Sequence, residues 1–388
     1  MSTTAEKTFV VIVGGGVAGL ALGNFLLRSG IGCIILEKDS CEYVEHRQRA
    51  GALDGRGVRM LREWGLEEVF GDFSAGPTDS AGFPLLIDGE PRLWDAADDD
   101  SEGIFCPQQI LVRNLIKVFL RDGGDLRFEA ADISLEDLGD RPTVRHLDAT
   151  GSAKVIDCEL IAGCDGDRGI SRPSIPADIL TRYAHEHGYA WLAVLADVPA
   201  DPLAVMAVHS RGFAAQITRG PNASRFYLQC PLTDTLDQWP DERIWSELGA
   251  RFGRPVAATG PITDRQLVPL RSVVYSPMSY GRLYLLGDAA HIVSPMSAKG
   301  MSLALHDAEV FARAVIHQVE KDDSSLLDSY SETCLRHIWN AQTSAVWITE
   351  TMHNSGDASY EGEFRKQLAR VELERMIESP TAANRLFE

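Results

Sequence analysis

The chain has 388 residues, 45% hydrophobic and 24% charged, a composition that excludes fibrous, collagenous and disordered classes. That length is more than one hydrophobic core usually serves and points to two or three domains. Thirty-seven Lys and Arg against 56 Asp and Glu give a net charge of −19, which excludes nucleic acid and anionic membrane as partners, because both are polyanions.

The start, Met1 to Lys7, is polar and lacks the basic, apolar and small-residue pattern of a secretory signal. No run approaches the roughly 20 apolar residues of a membrane helix. The seven cysteines form no CxxC pair, so free thiols, a reducing cytoplasm and no metal site are expected. Phe9 to Val13 is an unbroken β-branched run, as in a buried parallel strand. A glycine turn, an apolar helix up to Gly30 and a second strand from Ile31 to Leu36, closed by Glu37, complete a βαβ unit. Asp95 to Glu102 reads as a solvated acidic loop, Gln108 to Leu120 as a helix, and Leu160 to Ala162 as another buried strand. From Tyr189 the pattern turns β-rich, with strands over Tyr189–Val198, Ala204–His209, Gly212–Ile217 and Arg225–Gln229, and a turn at Gly220 to Asn222. Leu283 to Leu286 returns to the buried-strand pattern, a long helix starts near Gly300, and the tail from Leu326 reads as amphipathic helix with Trp339 and Trp347 buried.

Gly14, Gly16 and Gly19 fit GxGxxG between a strand and a helix. The first glycine permits the tight turn, the second lets backbone approach a pyrophosphate, and the third lets the helix pack on the strand. Glu37 stands where an acid accepts ribose hydroxyls. This pattern alone leaves FAD and NAD(P) both open. Cys164-Asp165-Gly166, and Gly287-Asp288 followed by a helix, decide for FAD. Asp288 can hold a ribityl hydroxyl, and the helix beyond offers amides and a positive dipole end to a reduced flavin.

With Arg47 to Gly51, Ala162 to Arg172, Arg211 to Phe213, Pro269 to Ser272, Gly287 to Val293, Ala298 to Gly300 and Cys334 to Trp339, the whole chain resembles the single-component FAD-dependent aromatic hydroxylases of the 4-hydroxybenzoate 3-monooxygenase type. The resemblance implies an α/β fold: a GxGxxG FAD-binding βαβ domain over 1–178, an inserted β-rich substrate domain over 179–272, and an FAD-contacting segment with a C-terminal helical region over 273–388. It implies FAD held by Gly14, Gly16, Ala18, Gly19, Glu37, Arg47, Arg49, Gln108, Asp165, Asp288, Lys299, Gly300, Met301 and Ser302. It places Lys38, Tyr43, Arg49, Arg168, Arg172 and Arg271 toward NADPH or NADH. Reduced flavin then traps O2 as a hydroperoxide that attacks a ring carbon of a small aromatic carboxylate. Arg219 clamps that carboxylate with Tyr227, Arg225 lies beside the flavin, and the Pro295 carbonyl faces the reacting ring. A homodimer is common in this family.

The substrate pocket departs from the family. Met206 replaces the tyrosine that takes the phenolic proton, and Ile217 replaces a carboxylate-binding serine. Ser294, Met296 and Ser302 replace a proline, a threonine and an asparagine. No histidine lies near Thr78 to Ala81, and the chain ends at Glu388 before a second relay tyrosine. The proton relay is therefore expected to be missing, which favours a substrate already activated by a ring amine or hydroxyl, such as 3-amino-4-hydroxybenzoate. Plain 4-hydroxybenzoate with a replaced relay, and a non-catalytic protein that binds flavin and an aromatic acid, are the alternatives.

Overall fold

The computed structural model describes residues 5–47, 51–73, 83–94, 103–104, 106–199, 204–220, 222–256, 260–354 and 359–378. Its contacts group the chain into two units. One comprises Met1–Gly76, Glu102–Ala184 and Val273–Gln342; the other comprises Pro77–Ser101, His185–Ser272 and Thr343–Glu388. The segment expected as one C-terminal region is thus shared between them.

The first unit is built on a mainly parallel sheet. Strand β1 (Glu6–Val13) lies between Cys33–Leu36 and Ala153–Gly163, with Val13 beside both Leu36 and Gly163. Leu283–Leu285 extends the parallel ladder, and the hairpin Ala131–Glu136/Thr143–Leu147 adds antiparallel strands. Val10, Val11 and Ile12 are fully buried, because helices cover parallel sheets on both faces. Helix α1 (Val17–Arg28) packs closely: a Cβ at Gly23 would approach Ile35 Cδ1 to 2.7 Å. It ends in a Schellman turn. Gly30 takes φ +72°, and the Ile31 amide reaches back to the Leu26 carbonyl at 3.0 Å. Phe25, fully buried, stacks on Trp64 at 4.4 Å; truncating such a ring costs about 3–5 kcal/mol. The helix Gly300–Lys321 buries Leu303, Leu305, Phe311 and Val315 in the same core.

The second unit holds a mostly antiparallel sheet. Ala223–Pro231 runs between Thr181–Ala196 and Ala214–Gly220, and Ala204–Val208 lies beyond, followed by Phe83–Ile87 and Glu90–Trp94. The period of two divides its faces. Leu192, Val194, Phe226, Leu228, Val205 and Ala207 share a core with Trp239 and with Ile244, Leu248 and Phe252 of the helix Asp241–Phe252. Arg251 on that helix is buried and donates to the Phe213 and Gln229 carbonyls at 2.8 and 2.9 Å. The tail forms helices Tyr330–Met352 and Tyr360–Glu378.

One burial expectation is corrected. Trp339 is 43% exposed and Trp347 half-buried; Trp339 lies on the outer side of its helix and meets Tyr183 edge-on at 5.5 Å. The acidic stretch 95–102 lies outside the described residues. No described helix is long and apolar enough to cross a membrane.

Candidate active site

The glycine turn after β1 is dictated by close contacts. Gly14 takes φ +108°, and a Cβ there would sit 2.4 Å from the Cys164 carbonyl oxygen. A Cβ at Gly19 would fall 2.0 Å from the Gly14 carbonyl oxygen. Gly16 differs: φ is −82°, and among the described residues, its chain neighbours aside, nothing lies within 4 Å of its Cβ position. No side chain caps α1, so its first-turn amides, including that of Ala18, open onto that space. Glu37 is buried, its two oxygens accepting the Gly15 amide at 2.6 Å and the Asp39 amide at 2.9 Å. An uncapped helix end, an open backbone approach and a fixed acid at the end of the second strand fit the diphosphate and ribose of FAD.

A second part of the cradle surrounds the start of helix Gly300–Lys321, where Gly300, Met301 and Ser302 form an N-terminus without a side-chain cap. Lys299 is fixed just before it, its Nζ 3.2 Å from Asp54 Oδ2. Asp54 caps the helix Gly55–Glu63 by accepting the Gly57 amide at 2.9 Å, and its own amide donates to Ser302 Oγ at 3.4 Å. Burial alone would raise the Asp54 carboxyl, but Lys299 and the Gly57 amide hold it below its ordinary value. Pro295 opens a 3₁₀ turn to Ser297 that closes with Ala298 at φ +54° and its amide on the Pro295 carbonyl at 3.1 Å. Met296 lies in this turn, Asp288 is half-buried in the turn Gly287–Ala289, and Gln108 begins the helix Gln108–Arg121. Asp165 accepts the Ser171 amide at 2.8 Å while burial raises its carboxyl.

The groups expected toward the nicotinamide nucleotide belong to both units, most of them to the first. Lys38 and Tyr43 are exposed, as is Arg47, which was expected toward FAD. Arg168 is exposed, and Arg271 belongs to the second unit and is half-buried. Arg172 is committed within the fold: it donates to the Ala289 carbonyl at 3.1 Å and to the Asp167 carbonyl, and its guanidinium lies 4.2 Å over the Tyr275 ring. Arg49 lies outside the described residues, as do Thr78 to Ala81.

In the second unit the register brings the expected substrate residues onto one face. Met206 pairs with Ala215 and Ala215 with Tyr227, while Ile217 pairs with Arg225. Directly opposed residues share a face, so Met206, Ile217, Arg225 and Tyr227 all point away from the Phe226 core. Arg219 follows on the same strand as Ile217 at a register shift. Arg219 Nε and Arg225 Nε and Nη1 are buried without a hydrogen-bond partner. Burial lowers the pKa of Arg219, Tyr227 opposes that, and the Arg225 charge adds to it. Among the described residues no carboxylate pairs with either arginine. Tyr227 also meets Trp191 at 4.6 Å, and Trp191 donates to His353 Nε2 at 2.7 Å. His353 Nδ1 in turn donates to the Thr349 carbonyl. Burial pushes His353 down to about 3, so it stays neutral and fixes that aromatic wall.

The FAD binding domain family matches residues 7–345. The chain belongs to this family. It is 34% identical to p-hydroxybenzoate hydroxylase of Acinetobacter baylyi, over 98% of this chain and 94% of that protein. It is 25% identical to a probable NADH-specific resorcinol 4-hydroxylase of Rhodococcus jostii, over 90% of this chain and 67% of that protein. The fold is shared with p-nitrophenol 4-monooxygenase of Pseudomonas putida, with TM-score 0.78, 18% identity and 98% of each chain covered. This member is an FAD-dependent aromatic ring monooxygenase that uses NADPH or NADH as co-substrate.

Sequence reasoning missed two polar clusters of the first unit. Arg56 donates to His306 Nδ1 at 3.0 Å and approaches His337 Nδ1 at 3.5 Å. Burial, with His337 and Arg56 adding, pushes His306 down to about 4. Asp307 is fully buried and bonds both the Gly287 amide at 2.9 Å and His291 Nε2 at 2.6 Å. The only sequence signal for that pair was an acid inside an otherwise apolar helix face. Burial would lower His291, but Asp307 overrides it and holds its pKa above the ordinary 6.5. A raised histidine stabilises fully below its unfolded value and loses that contribution as pH rises through the folded one. The thermal stability of the wild type is therefore expected to fall as pH rises above about 6.5, with a shallower slope for His291→Gln. Equal slopes would refute the charged pair.

Proposed function

We propose that the enzyme hydroxylates the ring of a 4-hydroxybenzoate-type acid carrying a further electron-donating group, 3-amino-4-hydroxybenzoate being the first candidate. The supporting observation is the pair Arg219 and Arg225, one half-buried and one buried, whose Arg219 Nε and Arg225 Nε and Nη1 are unpartnered beside Tyr227 and meet no carboxylate among the described residues. Buried cations of this kind are stable only with an anion, and a benzoate carboxylate matches the fork of an arginine. Met206 shares their face, about 10 Å from Tyr227 across two strand spacings.

FAD, once bound and reduced by NAD(P)H, supplies the activated oxygen. The chain's part is to clamp the carboxylate through Arg219 and Tyr227, to keep water from the ring with the apolar Met206 and Ile217, and to present the Pro295 carbonyl. A thioether at Met206 takes no phenolic proton. The electron push must come from the ring itself, and a neutral amine donates without losing a proton. Gly14, Gly16, Gly19, Glu37, Arg47, Asp288, Lys299 and Ser302 would hold FAD, and Lys38, Tyr43 and Arg168 would steer the nucleotide. The positive charge of Lys38, Arg47 and Arg168 offsets the acidic field of the chain.

The 34% identity to a p-hydroxybenzoate hydroxylase supports a second reading, unsubstituted 4-hydroxybenzoate as substrate. Substrate-stimulated NAD(P)H oxidation and product mass across substituted benzoates separate the two. The amino compound is expected to give coupled turnover with one added oxygen atom. Coupling confined to 4-hydroxybenzoate would sink the first reading. A homodimer belongs to the same proposal and is supported by exposed Phe364, Leu368 and Val371, spaced along one face of helix Tyr360–Glu378.

A further inference from the structure

Within the second unit, His185 and His187 stand two residues apart on the strand Thr181–Ala196, which puts both imidazoles on one face. Glu350 of the helix Tyr330–Met352 meets them there. One ligand atom from each of the three lies within 4.8 Å of the others, and His185 Nε2 is already 2.9 Å from Glu350 Oε1. The two rings sit edge to face, 4.7 Å apart.

His187 is the informative member. It is 9% exposed, and both its ring nitrogens are buried without a hydrogen-bond partner. A structural histidine normally satisfies at least one nitrogen, and leaving both unmade costs about 1–3 kcal/mol each. The polar neighbours offer no relief: the Tyr189 hydroxyl and His353 Nδ1 both already donate to the Thr349 carbonyl.

We propose that His185, His187 and Glu350 bind one divalent transition-metal ion of the zinc type, clamping the strand to the helix. Two imidazoles and a carboxylate suit zinc and cobalt, with water completing the tetrahedron. Ligand atoms about 2.0–2.2 Å from such an ion lie about 3.3 Å apart, a spacing that rotation of the exposed His185 and Glu350 side chains reaches.

The test uses untagged holoenzyme, stripped by a chelator and titrated with Zn2+ or Co2+ by calorimetry. One equivalent is expected to bind with a Kd of about 10 μM or tighter, Co2+ giving a visible ligand-field band and Zn2+ raising the Tm. His185→Gln and Glu350→Gln change exposed groups that leave the fold intact. Each is expected to weaken binding at least about tenfold and to abolish the Tm rise, with metal-free NAD(P)H oxidation unchanged. No stoichiometric ion in the wild type, or undiminished binding in both variants, would overturn the site; in the second case the ion sits on thiols or on the FAD diphosphate.

Discussion

Arg219→Ala is expected to weaken binding of the aromatic carboxylate by about 30- to 5,000-fold, the equivalent of about 2–5 kcal/mol for one partner of a buried charge pair. The loss should appear in KM and in the dissociation constant read from substrate-perturbed flavin absorbance, with a smaller change in kcat. Arg219→Lys should fall between, because an ammonium keeps the charge but not the two-pronged donor. The ligand-free protein supplies the control. Arg219 is half-buried beside Arg225, its Nε shielded from water and unpartnered, so its removal relieves desolvation and like-charge repulsion. The apparent Tm without substrate should hold or rise. A falling Tm with unchanged substrate affinity would make Arg219 a structural residue and refute the clamp.

That contrast of binding with stability separates what could be read in the sequence from what could not. The β1–turn–α1 unit was legible because its period changes at Gly14 and each glycine answers a local demand. Met206, Ile217, Arg225 and Tyr227 came only from the family resemblance; that they share a face appears in the strand register, because it takes the pairing of three strands to bring them together. The strand through Tyr189 was read too short. It begins at Thr181, and its first residues are exposed and polar, so they lack the apolar alternation that marks a strand. Trp339 failed in the opposite sense, since hydrophobicity alone does not say which side of a helix faces a core. Contacts between distant segments were illegible altogether. Asp54 meets Lys299 and His185 meets Glu350 across long stretches of chain, and no local pattern encodes either partner. The cysteine count bears only on thiolate sites and says nothing of the His185, His187 and Glu350 site proposed above.

Gly16→Ala is expected to cost about 100-fold in FAD affinity while barely disturbing the apoprotein. The backbone at Gly16, φ −82°, suits alanine, and among the described residues, its own chain neighbours aside, nothing lies within 4 Å of the new methyl. The fold therefore loses only a modest helix-cap preference, about 1 kcal/mol or about 2 °C in Tm. The open space serves the diphosphate, and a methyl there holds the phosphates off the α1 amides. Two weakened charge-assisted hydrogen bonds at about 1.5 kcal/mol each give the stated factor. Gly19→Ala is the opposite case. Its methyl would lie 2.0 Å from the Gly14 carbonyl oxygen, so α1 must move off β1 and the apoprotein itself should lose several degrees. FAD titration by fluorescence quenching, alongside thermal unfolding of both apoproteins, resolves the pair. If Gly16→Ala destabilises the apoprotein as much as Gly19→Ala does, the gap before α1 is packing space and not a cofactor berth. If it binds FAD as the wild type does, the diphosphate lies elsewhere on the turn.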